Sequence, residues 1–305
     1  MPAPMHASDR VTPMPLRDLL LAVAIVVAWG FNFVVMKYAV SEVPPFLLTG
    51  ARFALAAFPA IFLVRRPSVS WRYLVIYGTG FGIMQFGFMF TAFRLGMPAG
   101  LTSVLLQTQA LMTVGLAYPF LGERASRAQI GAIAIVAAGV FLIAAGAARN
   151  AALLPVVLVL FGAFGWAMAN ITLKLARPAD LLSFTVWSGI TPAIAMLSLS
   201  AFAEGTAAWQ QSWTHLTWLG VGAVLYLAYP ISLASGWAWN SLLSRYSAAT
   251  FAPFALLVPV VAMAGGALIY GERLTTLGLA GSALVLAGLA VLVVAGRVAS
   301  KPTVV

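Results

Sequence analysis

The chain has 305 residues, 62% of them hydrophobic and 8% charged, with a mean hydropathy of +1.00. Soluble domains carry about 25% charged residues, and too few polar residues are present here to cover two soluble cores. A soluble globular protein is excluded, and a lipid bilayer is the expected solvent. The formal charge of +10 does not point to nucleic acid, because the basic residues stand singly or in pairs between apolar runs and form no basic face. The absence of cysteine removes disulfides, thiolate catalysis and Cys-based metal sites.

Residues 1–15 are polar and proline-bearing and read as a short tail. The apolar run after them is too long for a signal-peptide core and lacks a small-residue cleavage site, so it reads as the first retained span. A crossing helix needs about 20 apolar residues. Cutting the chain at charged, proline and glycine clusters gives ten candidates: 16–38, 44–64, 71–95, 98–121, 126–146, 152–175, 181–203, 216–242, 247–271 and 274–296. The weakest cuts are at Leu95-Gly-Met-Pro98 and around Arg149, and nine spans is the alternative count. The runs are continuous instead of alternating, which excludes a β-barrel, and a helical bundle remains. With the N-terminus inside, twelve basic residues (among them Arg10, Arg65, Arg66, Arg124, Arg245 and Lys301) fall on the inner side. Lys37, Arg94, Arg149 and Arg273 fall outside. Both termini are therefore expected in the cytoplasm, with 298–305 a second tail.

The two halves echo one another. Trp29 and Lys37 in the first span are spaced like Trp166 and Lys174 in the sixth, and Gly122-Glu-Arg124 after the fourth matches Gly271-Glu-Arg273 after the ninth. The first offset is 166 − 29 = 137 and the second is 272 − 123 = 149. The fold expected is an all-α polytopic membrane protein of ten transmembrane helices, in two five-helix repeats at 16–148 and 149–297. An odd number of helices per repeat makes the second copy enter from the opposite side. The product is an inverted repeat of the kind secondary transporters use, with a substrate site near the midplane.

Ala28-Trp-Gly-Phe-Asn-Phe33, Pro44-Pro-Phe-Leu-Leu-Thr-Gly-Ala-Arg-Phe53, Gly96-Met-Pro-Ala-Gly100, Leu105-Leu-Gln-Thr-Gln109 and the two Gly-Glu-Arg loops resemble the drug/metabolite transporter superfamily. Within it the chain is most similar to the EamA-type exporters. The resemblance covers nearly the whole chain and implies a bacterial inner-membrane location and export of amino acids or related metabolites. The nearest pattern is that of exporters of O-acetylserine and cysteine-pathway metabolites. Drugs, nucleobases or sugars are the alternative cargo within the superfamily.

Polar groups inside a membrane are costly and usually face the bundle interior or a wet cavity. Trp29, Asn32 and Phe33 share one helix face and could grip a zwitterion; the other reading of this face is interhelical packing. Trp166 and Asn170 are their counterparts. Gln107 and Gln109 lie on different faces, so one is expected to line the cavity and the other to tie helices; Gln107 is taken as the lining residue. Gln85 is a further amide at mid-depth. Arg52, roughly 12 Å inside its span at helical rise, either anchors a carboxylate or bonds backbone carbonyls. Lys37 and Lys174, near helix ends, are expected to snorkel to the headgroups. Pro230, Pro253 and Pro259 interrupt helical runs and can free carbonyls. Tyr229, beside Pro230, joins the lining candidates, and Trp237 and Trp239 follow. No acidic residue falls at mid-membrane, so the usual carboxylate for proton coupling is not visible. His6 and His215 have no metal-ligand partners, and there is no Walker A loop. No cofactor and no enzymatic activity are expected. A membrane enzyme and a channel remain remote alternatives, and monomer and homodimer are both open.

Overall fold

In the computed structural model the described residues are 15–123, 125–148, 153–235, 238, 241–242 and 254–299. The tails expected at 1–15 and 298–305 thus lie almost wholly outside them. So do Arg10, Arg124, Arg149, Arg245 and Lys301 of the charge count, together with Trp237, Trp239 and Pro253.

Among the described residues eleven helices are traced in order: α1 (Leu16–Glu42), α2 (Pro45–Ile61), α3 (Trp71–Arg94), α4 (Ala99–Leu121), α5 (Arg127–Ala148), α6 (Leu153–Ala176), α7 (Leu181–Ala203), α8 (Gly205–His215), α9 (Trp218 to the π-helical stretch Leu227–Ala234), α10 (Leu257–Tyr270) and α11 (Thr276–Ala299). Seven of these helices are long and apolar enough to cross a membrane, while Pro45–Phe58, Trp218–Ser232 and Leu257–Tyr270 are shorter apolar stretches. No strand occurs among the described residues. The helix α8 fills a stretch expected to lie outside the membrane, and Trp209 Nε1 there donates to Ser200 Oγ at 2.8 Å.

Local chemistry sets the ends. Pro45 opens α2 at its first turn, where a missing N–H costs nothing. Ser126 and Gln129 cap α5 reciprocally: Ser126 N–H donates to Gln129 Oε1 at 2.7 Å and Gln129 N–H to Ser126 Oγ at 3.2 Å. The helices α4 and α10 both stop on a left-handed glycine, Gly122 (φ 70°) and Gly271 (φ 62°), a conformation other residues rarely adopt.

Other irregularities recur at the offset of 149 that separates these glycines. The middle of α3 is π-helical over Gly78–Gly87, and α9 is π-helical from Leu227. The helix α4 breaks at Gln107–Thr108, and a turn at Leu256 precedes α10. Pro230 therefore sits in a wider helical turn. Such π stretches arise where a residue is inserted in a helix, and they gather at functional sites.

The helices approach through small residues, as expected where lipid supplies no hydrophobic drive between them. A Cβ on Gly139 of α5 would lie 2.7 Å from Gly281 O of α11, and one on Gly281 would lie 2.5 Å from Gly139 O. The π stretch of α3 meets α6 similarly, where a Cβ on Gly80 would lie 2.5 Å from Gly165 O. Large apolar side chains face outward, among them Phe62, Phe202 and Leu268 at 77%, 91% and 86% exposure. Outside a bilayer these would be an aggregation surface; in one they are the lipid contact.

Candidate functional site

Two polar groups from the first half reach the π stretch of α9 and the residue that follows it. Trp29 Nε1 donates to Ser235 Oγ at 2.8 Å, and Arg52 Nε and Nη2 approach Ser232 Oγ at 3.3 and 3.2 Å. The two serines donate onward to carbonyls of the same stretch, Ser232 to Leu227 O at 2.8 Å and Ser235 to Ile231 O at 2.6 Å. The Arg52 guanidinium also lies over the Phe86 ring at 3.9 Å, and Phe86 belongs to the π stretch of α3. Arg52 is thus held between the two π-helical segments. Phe53, Phe81 and Phe86 pack edge to face around it, and Trp166 adds its ring to Phe81 at 6.4 Å.

Within the chain, the described partners of Arg52 are a hydroxyl and an aromatic face, and Nη1 has none. Asn32 Oδ1 and Gln85 Oε1 are the other buried side-chain atoms without a partner among the described residues. Asn32 donates only to Met36 Sδ, at 3.8 Å. Phe33 is buried in the main core, and Tyr229 is half-buried in the π stretch of α9.

A second cluster forms at the broken helix. Gln107 Nε2 reaches Ala255 O at 3.4 Å, so the break in α4 touches the chain at the turn before α10. Asn170 Nδ2 donates to Gln109 Oε1 at 2.8 Å and Thr113 Oγ1 at 3.1 Å. Gln107 and Gln109 do face different ways, and each ties helices together.

The lysines do not simply snorkel. Lys37 Nζ donates to Glu272 Oε1 at 2.6 Å, with only 21% and 9% of the two side chains exposed. Glu272 Oε1 also accepts Ala99 N–H at 2.8 Å and Oε2 faces Gly100 N at 3.4 Å, so the carboxylate caps α4 as well. Lys174 Nζ lies 3.3 Å from Glu123, and both side chains are more than half exposed. That second pair lines a cleft of about 170 Å³ together with Thr113, Ala117 and Gln129. The two Trp–Lys spacings and the two Gly-Glu-Arg loops mark these four residues in the sequence but not their pairing, in which each lysine meets the glutamate of the other echo. Ser232 and Ser235 gave only the faint signal of lying close after Pro230.

Long apolar helices with an apolar outer face and polar groups turned inward make this a multi-pass membrane protein. The chain belongs to the EamA-like transporter family, whose model matches residues 16–145 and again 153–294. It is a membrane transporter and not an enzyme. A probable amino-acid metabolite efflux pump of Salmonella typhimurium is 40% identical over 292 residues, covering 93% of this chain and 97% of that protein. One of the same description from Escherichia coli is 39% identical over 283 residues, covering 90% and 94%. A probable terminal-alkyne amino-acid exporter of Streptantibioticus cattleyicolor is 28% identical over 86% of this chain and 89% of its own length. A solved crystal structure superposes with a TM-score of 0.59 over 94% of this chain and 99% of that one; at 18% identity it speaks to fold alone.

Proposed function

We propose that the protein is an inner-membrane secondary transporter that exports amino acids or related small metabolites, of the O-acetylserine type, by alternating access. The ten apolar helices form two inverted halves of five, 16–148 and 149–297, with both termini in the cytoplasm. Several observations support this reading. The family model matches each half separately. The π stretches, the mid-helix interruptions and the left-handed caps recur at one offset. Two relatives are described as probable amino-acid metabolite efflux pumps and a third as a probable terminal-alkyne amino-acid exporter.

The observation that carries the mechanism is the pair of crossed ion pairs. Lys37 and Glu272 join one half to the other at one end and are largely sealed from solvent. Lys174 and Glu123 are their counterparts under exchange of the halves, and they stand open around a cleft. Equivalent contacts in unequal states at opposite ends are what a carrier built of two interchangeable halves adopts when open to one side. Rocking the halves tightens Lys174–Glu123 while parting Lys37–Glu272. Cargo in transit passes Arg52, Gln85 and Trp166, and the breaks at Gln107 and Leu256 supply the give.

Because the chain has no cysteine, single cysteines test this cleanly. Thr113→Cys, in the cleft, is expected to react with a membrane-impermeant maleimide from the cytoplasmic side. Met97→Cys, at the sealed end, is expected to resist from the periplasmic side. Adding Glu272→Gln reverses both. Simultaneous labelling of both positions from opposite sides in every background would identify a channel instead.

A further inference from the structure

Arg52 is a buried cation with a spare donor. Its side chain is 3% exposed and sits inside the bundle, and the guanidinium cannot shed its charge. A cation in the interior is tolerated when something compensates it. Here the described compensation is one serine hydroxyl shared by Nε and Nη2, and the faces of Phe86 and Phe53 at 3.9 and 5.7 Å. No carboxylate pairs with it among the described residues, and Nη1 has no acceptor. The position also lacks a basic counterpart: under the repeat, α2 pairs with α7, which contains neither lysine nor arginine. A group present in only one half is a device for selecting cargo, since the motion itself needs only what both halves share.

We propose that Arg52 binds the carboxylate of the cargo, so that the transported class is free carboxylates, α-amino acids included, and excludes their amides, esters and decarboxylated amines. This rests on the carrier reading above. Nη1 is the free donor, and Ser232 Oγ orients the fork. Phe53, Phe81 and Phe86 exclude water, which strengthens the ion pair. The two π-helical segments that flank Arg52 belong to different halves, so a carboxylate seated there joins them. Binding cargo neutralises the buried charge and favours the movement of the halves about it.

The test uses the full-length protein in proteoliposomes. Counterflow is run with each of the twenty L-amino acids and O-acetyl-L-serine, and for every probe that exchanges, its carboxamide and its decarboxylated amine are offered as competitors. Losing a charged hydrogen bond in a buried site corresponds to at least about a tenfold weakening. The wild type should prefer the acid over the other two by that factor. Arg52→Lys should keep an intermediate preference, and Arg52→Gln should lose it along with most of the exchange. Arg52→Met guards against misfolding. It fills the same space against Phe86 without a lone charge, so it should be at least as thermostable as the cargo-free wild type while failing to discriminate. A carboxamide that competes as well as its acid in the wild type, or an Arg52→Gln protein that still prefers the acid, overturns the assignment and leaves the carrier reading standing. Loss of stability in Arg52→Met with acid preference retained would make Arg52 a packing residue. No exchange with any probe would remove both readings.

Discussion

Lys37 and Glu272 meet at 2.6 Å across 235 residues of sequence, and the same carboxylate accepts the N–H of Ala99 at the start of α4. Glu272 therefore has two roles, ion-pair partner and helix cap, and only the first survives reversal of charge. Exchanging the pair as Lys37→Glu with Glu272→Lys should fail to restore exchange, because the cap is lost. The same exchange at Lys174 and Glu123, which are exposed and bonded to each other alone among the described residues, should retain at least half of it. Initial counterflow rates of the two double variants, normalised to membrane content, decide the matter.

Asn170 donates two hydrogen bonds across the boundary between α6 and α4, whereas Gln107 makes one long contact. Side-chain hydrogen bonds between membrane helices average about 0.6 kcal/mol. Asn170→Ala should then lower stability by about 1 kcal/mol, and Gln107→Leu by much less. Unfolding in mixed micelles measures both. A double-mutant cycle between Asn170 and Gln109 should return a coupling of about 0.6 kcal/mol.

Gly139 and Gly281 leave no room for each other's Cβ, whereas a Cβ on Gly131 of the same α5 helix meets nothing within 4 Å. Gly281→Val should abolish accumulation of folded protein, and Gly139→Ala should lower its melting temperature. Gly131→Ala should be neutral or slightly stabilising, as expected of an exposed helical glycine. Fluorescence-detected size exclusion with thermal challenge reads all three.

Asp180 precedes α7 and accepts hydrogen bonds from Leu182 N–H and Ser183 Oγ. The Ser183 hydroxyl holds its carboxyl below the usual value. A depressed carboxyl contributes stability in full above its unfolded pKa, about 3.9. The contribution fades as pH falls through the lower, folded value. Asp180→Ala should therefore be less stable than the wild type at neutral pH, and the gap should close in acid. A melting-temperature series from pH 7 to pH 3 tests the direction.

Much of the architecture was legible because membrane insertion writes itself in long runs: each apolar stretch expected as a span coincides with a helix or apolar helical stretch wherever residues are described. The first helix runs on to Glu42, past the expected end at Tyr38, since Glu42 accepts from Tyr38 and Thr217 and holds the last turn. Helix irregularity was not legible. Nothing in Gly78–Gly87 separates a π stretch from an α-helix, because the same apolar periodicity serves both and the difference lies in packing against α6. Arg52, Gln85 and Asn32 stood out in the sequence as polar residues in apolar runs, and among the described residues they hold the three buried side-chain atoms without hydrogen-bond partners. Ser232 and Ser235 did not, because hydroxyls that bond their own helix are common and cheap in membranes. Which glutamate met which lysine depended on the crossing of the halves, and sequence distance hides that.

Counterflow in sealed proteoliposomes of the purified, full-length protein is the measurement to make for the transport reading. Vesicles preloaded with unlabelled amino acid or O-acetyl-L-serine should take up the labelled compound transiently, with a rate that saturates and is accelerated by cargo on the far side. Flux that rises linearly with concentration and ignores the opposite side would contradict an alternating carrier, and the crossed Lys–Glu pairs would then be structural struts alone.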